Sequence, residues 1–172
     1  MVLYRYHDRP HAVWPDMIAE GEIHYMGLAG KLESTPYGAS CLFTLDTPMT
    51  ALELARHLEK TLGIAHLRIC GERHKPVTVI GTCFGTPGGV MEHLASENVQ
   101  VVLVGEACEW SAAEYARDAA AMGLNKTLII MGHCGSERDG MRLLADRLAA
   151  EIAPEVRYFE CGEVYTYTDT KN

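Results

Sequence analysis

From residue 76 onward the chain alternates between two patterns. "VTVIG", "VQVVLVG" and "TLIIMG" are short, continuous runs rich in β-branched and apolar residues, as strands buried on both faces are. Between and after them, "GVMEHLASEN", "SAAEYARDAAAMG" and "SERDGMRLLADRLAAEI" place apolar residues at helical spacing, and "VRYFEC" closes the series as a further strand. This rhythm predicts an α/β fold: a three-layer sandwich with a mostly parallel sheet. Upstream, "VLYRY" (2–6) reads as a strand and 15–28 as a helix with Pro15 in its first turn. Residues 29–40 are turn-rich, "CLFTLD" (41–46) is a strand, and "TPMTALELARHLEKTLG" reads as a helix opened by a Thr cap and closed at Gly63. "LRICG" follows as another strand. Residues 1–172 form one region without internal repeat, low-complexity segment or linker, and "TYTDTKN" reads as a frayed tail.

Composition narrows the class. With 172 residues, 48% of them hydrophobic, the chain can bury a core without disulfide or metal staples. A net charge of -8 and scattered Lys and Arg leave no basic patch for nucleic acid. No apolar run is long enough to cross a bilayer and no signal sequence opens the chain, so a cytoplasmic location is expected and a membrane partner is not. The six cysteines lack a C-x-x-C pair; four sit in or beside apolar runs as buried thiols, whereas Cys83 and Cys134 fall in loops.

In open α/β sheets ligands bind beyond the carboxyl ends of the strands, so the residues there are the candidates. "HDRPH" offers His7, Asp8 and His11; Pro10 argues against a helix between the histidines, which leaves them on one extended turn, with at least one a candidate metal ligand. "GTCFGTPGG" offers Gly85, Thr86, Gly88 and Gly89, either a cradle for an anionic group or a tight turn needing positive φ. "GEACEW" offers Glu106 and Glu109, as general acid/base groups or as a strand end and a helix N-terminal acid. "GHCGSE" offers His133 and Glu137. Locally, Ser136 would cap the last helix, Asp139 would complete a capping box and Glu137 would favour the helix dipole. Alternatively the imidazole and carboxylate converge on one divalent ion, Zn, Fe, Mn or Ni. His24, His57, His66, His74 and His93 read as partly exposed surface residues.

Together these segments resemble the Nif-three-like dinuclear metal centre hexameric proteins, often named GTP cyclohydrolase I type 2 homologues. "GHCGSE" is similar to that family's GH-x-x-[ST]-E motif, which implies His133 and Glu137 as ligands. "YRYHDRPH" is similar to its H-x-x-x-D segment, with His11 standing where the ligand Asp would be. "HD-x-x-H" together with "GEACEWSAAEYARDAA" resembles a side branch, in which Trp110 replaces a His found in many other members. Family members open with roughly a hundred further residues, a domain-scale length, ending in a His-His-Pro or His-Glu-Pro motif. That motif does not occur here, so the chain resembles the C-terminal two-thirds of such a protein.

Two functions are consistent with this. In the first, a metal-dependent hydrolase acts on a small, nucleotide-like substrate: His11, His133, Glu137 and His7 supply metal ligands, Glu106 or Glu109 moves protons, and the "GTPGG" loop receives an anion. In the second, a non-catalytic metal-binding or regulatory module keeps the scaffold. The resemblance also implies self-association, as a homo-oligomer that is a hexamer in the complete protein.

Overall fold

A computed structural model of the chain describes residues 1–168. Its helices and strands, in chain order, are α1 (Met17–Met26), β1 (Gly30–Ser34), β2 (Cys41–Thr50), α2 (Ala51–Leu62), β3 (Arg68–Gly71), β4 (Pro76–Cys83), α3 (Val90–Ala95), β5 (Val101–Val104), α4 (Glu114–Ala121), β6 (Thr127–Ile130) and α5 (Arg138–Glu151). One six-stranded sheet runs β1-β2-β4-β5-β6-β3. The parallel pairing expected of the βα rhythm holds at its centre, β4–β5–β6, while β1, β2 and β3 join antiparallel, so the sheet is mixed.

The centre is buried on both faces. Val101 and Leu103 of β5 and Ile129 of β6 meet Met26, Leu54 and Leu58 on one side. Val102 and Val104 of β5 and Leu128 of β6 meet Leu94 and Ala116 on the other. Two cores on opposite faces make the three layers, and the period-2 alternation of side chains explains why "VVLV" is apolar throughout and "TLII" at all but Thr127. Local signals hold where a full motif exists: Thr50 and Glu53 form a reciprocal capping box at α2, and Gly63 ends it at φ 66°. The fifth helix is different. It packs on α1 more than on the sheet, and only Asp139 and Gly140 of it are buried.

Several local expectations are corrected. Residues 2–6 and 156–161 are irregular and largely exposed, not strands, because no neighbouring strand among the described residues supplies a ladder. Residues 30–34, read as turn, instead form β1 by pairing with β2. Pro15 precedes the first helix, whose cap is Asp16, and the Trp14–Pro15 bond is cis. Ser136 does not cap α5; its hydroxyl donates to His133 O and accepts from Gly85 N–H. His93 is buried rather than superficial, and Cys83 lies buried at the end of β4, whereas Cys108 and Cys161 are exposed. Of "TYTDTKN", residues 169–172 lie outside the described residues.

Candidate metal centre

The carboxyl ends of β4, β5 and β6 continue their parallel ladder into the loops. Gly105 N–H donates to Cys83 O at 3.2 Å and Gly132 N–H to Gly105 O at 3.0 Å. That alignment sets Gly85, Gly105, Glu106 and His133 side by side. The glycines are there for space: a Cβ on Gly85 (φ 69°) would overlap Glu137 Oε1, and one on Gly105 would overlap Gly85 O. Ser136, bonded to Gly85 N–H, fixes the short 3₁₀ turn Cys134–Ser136 against this floor and so brings Glu137 back over it.

Glu137 is the meeting point. His133 Nε2 lies 3.3 Å from its Oε2, and His11 Nε2, from the other end of the chain, lies 3.7 Å from its Oε1. Each imidazole is held from behind by an acid: His133 Nδ1 is 2.7 Å from Glu106 Oε1, and His11 Nδ1 is 2.8 Å from Asp16 Oδ2. Asp16 does two things at once, since its Oδ1 accepts Ala19 N–H as the cap of α1. The bonds to Asp16 and then to Glu137 raise the His11 pKa to about 10, against the opposing effect of burial. The same contact with His11 is the main influence lowering the Glu137 carboxyl pKa.

His7 stands further out. Its Nδ1 is 2.5 Å from Asp8 Oδ1 on an exposed turn, and this contact lowers the Asp8 pKa. Glu109 is exposed and pairs with Arg68 at 3.2 Å. Of the glycine-rich loop, Gly85 belongs to the centre. Thr86 is exposed, Gly88 faces open space and Gly89 (φ 82°) packs on Tyr37 and Ser40, opening a helix of only six residues. That is the geometry of the tight turn. The residue that sequence reasoning missed is Asp16, read there only as part of a helix start; an acid five positions after a candidate ligand His was the available signal.

The donor set suits a borderline divalent ion, with two imidazoles and a carboxylate. Nε2 inward and Nδ1 on an acid is the orientation such histidines take when they ligate. Donors sharing one ion with bonds near 2 Å sit about 3–4 Å apart, the range of both histidine–Glu137 contacts. Among the described residues, no group of three or more His, Cys, Asp or Glu side chains is gathered tightly enough to hold an ion. The residues therefore fit the group in chemistry and orientation without forming a closed cage. Beside His133 and Glu106 opens a cleft of about 790 Å³, bounded also by Arg68, Ile130 and Tyr165. No helix among the described residues is long and apolar enough to cross a membrane.

Comparison with known proteins sets the chain in a family. A "GTP cyclohydrolase 1 type 2 homolog" of Yersinia pestis is 33% identical over 134 residues, 76% of this chain and 49% of that protein. The Pseudomonas aeruginosa protein of the same name is 29% identical over 133 residues, 77% of this chain and 50% of its own length. The chain thus spans about half the length of the curated relatives it matches. The solved protein ybgI, described as of unknown function, shares the fold with a TM-score of 0.65 at 24% identity, over 86% of this chain and 57% of that one. A family model for Duf34/NIF3 (NGG1p interacting factor 3) matches residues 16–164, and the chain belongs to that family.

Proposed function

We propose that the chain carries the core of a metal-dependent hydrolase centre for a small, nucleotide-like substrate. The observation that supports this most is the convergence of His11 and His133 on Glu137, each with its outer nitrogen on a carboxylate. His11, His133 and Glu137 would hold the ion, of the Zn, Fe, Mn or Ni class, with His7 an outer candidate. Held there, such an ion would supply Lewis-acid activation for hydrolysis. Asp16 keeps the His11 ring oriented, and Glu106 accepts the proton on His133 Nδ1 and stands at the mouth of the cleft, placed to shuttle protons. Glu109 is the weaker candidate for that role because Arg68 already engages it.

Nucleotide-like substrates are suggested by the name of the curated relatives, GTP cyclohydrolase 1 type 2 homolog. In this proposal the Gly85–Gly89 loop, Thr86 included, borders the anionic end of the substrate, and the chain self-associates as a homo-oligomer, a hexamer in the complete protein. An apolar groove of about 570 Å³ between α5 and residues 156–162 supports association. Six free cysteines suit the reducing cytoplasm.

A second reading, a binding or regulatory module without catalysis, is favoured by the lack of a closed three-donor group among the described residues. Metal content after purification, followed by nucleotide turnover with added Zn, Mn or Fe, separates the two. Bound metal with turnover supports the hydrolase, bound metal without turnover favours the module, and a folded protein that takes no metal contradicts the centre itself.

A further inference from the structure

The fifth helix carries Glu137 at its threshold and has no cap of its own among the described residues: the Glu137 side chain makes no capping bond, and Ser136 is committed to Gly85 and His133. The open donor in its first turn, Asp139 N–H, is met from another helix. Glu22 Oε1 of α1 accepts it at 2.9 Å. Glu22 is 0% exposed, a rare place for a carboxyl, and its Oε2 has no hydrogen-bond partner among the described residues. Glycines make this burial possible. A Cβ on Gly21 would overlap Gly140 Cα, and one on Gly140 would lie 2.5 Å from Ile18 Cα, so the two helices touch backbone to backbone. An apolar side chain of similar size would fill that space; what a carboxyl adds is the acceptor.

The first helix thus holds both halves of the centre. Asp16, its cap, grips His11; Glu22, six residues or about 9 Å along the axis, grips the start of α5. We propose that Glu22 is a positioning residue: by capping α5 from α1 it fixes Glu137 at the point where the two histidines meet. The functional part of this rests on the metal-centre reading, whereas the capping part does not.

Burial first, and the Asp139 charge next, push the Glu22 carboxyl well above the usual range; the hydrogen bond from Asp139 N–H and the Arg138 charge oppose the rise and Glu137 adds to it. A neutral acid should therefore be replaceable by its amide. Because the folded-state pKa is raised, the contribution of Glu22 is complete below its unfolded pKa and is lost as pH rises through the folded value. That loss on raising the pH above the ordinary carboxylate range should disappear in E22Q.

The experiment compares wild type, E22Q and E22L by amide hydrogen exchange at Asp139, thermal unfolding against pH, and Zn²⁺ affinity by chelator competition. E22M, more adaptable in shape, replaces E22L if that variant does not fold. E22Q is expected to keep Asp139 protection and Zn²⁺ affinity near wild type. E22L is expected to exchange Asp139 about five- to tenfold faster and to bind Zn²⁺ about tenfold more weakly while staying folded. An apolar variant with unchanged protection would overturn the cap, and one with faster exchange but unchanged Zn²⁺ affinity would overturn the positioning role. If wild type binds no Zn²⁺, the metal reading fails and the positioning role fails with it, while the exchange ratio still decides the cap.

Discussion

The two sides of the candidate centre are built differently. His133 follows a strand that is buried at every position, and the ladder running through Gly105 and Gly132 carries that order up to the imidazole. His11 sits in a 3₁₀ turn (Arg9–His11) behind a stretch whose first five residues are exposed, and the contact that orients its ring from behind is with Asp16. One imidazole inherits its place from the core; the other depends on a side chain. Damage to the sheet should therefore remove both, whereas damage to the acid behind each ring should fall harder on His11.

The largest effect is expected where the halves share a foundation. Leu103→Ala opens a cavity in a fully buried strand, and about 2–5 kcal/mol of stability should be lost in denaturant titration, with Zn²⁺ binding falling alongside. Next comes Gly85→Ala, which forces a Cβ onto Glu137 Oε1 at φ 69°. About 1–3 kcal/mol of destabilisation and loss of Zn²⁺ binding should follow, seen by thermal unfolding and chelator competition. Asp16→Asn then separates the halves. Asn caps a helix about as well as Asp, so stability should hold while Zn²⁺ affinity drops about 10–100-fold. Glu106→Gln, acting on the imidazole that the ladder already holds, should weaken Zn²⁺ by about tenfold or less. Equal losses for the two variants would break the asymmetry.

A separate effect is one of pH. In the metal-free protein the His11 pKa is raised from 6.5 to about 10 by Asp16 and Glu137. A raised folded-state pKa means that the ring's contribution is complete below about 6.5 and is lost as pH climbs through about 10. Thermal unfolding between pH 7 and 10.5 should show that decline in wild type and a shallower one in His11→Asn. The same proton competes with a cation, so Zn²⁺ affinity should rise with pH over that range.

Much of the fold was legible because its signals were redundant. Strands β5 and β6 are apolar at every position but Thr127 and α2 has both a capping box and a terminal glycine, so pattern and punctuation agree. The segments 2–6 and 156–161 carry β-type residues but no neighbour to pair with, and strand character without a ladder is not a strand. At the centre, "GHCGSE" pointed to His133 and Glu137, yet the capping box read at Ser136 and Asp139 is absent. The serine is drawn to Gly85 and the helix start to Glu22, partners distant in sequence. Asp16 was hidden for a similar reason: a cap residue reads as local until the fold lays a histidine against its second oxygen.

The central claim is that His11 and His133, far apart along the chain, act on one cation at Glu137. Zn²⁺ affinity by chelator competition in wild type, H11A, H133A and the double variant tests it most directly. A shared ion predicts that either single substitution removes most of the affinity and that the second adds little, a strongly non-additive cycle. Unchanged binding in H11A, or losses that simply add, would contradict a common centre.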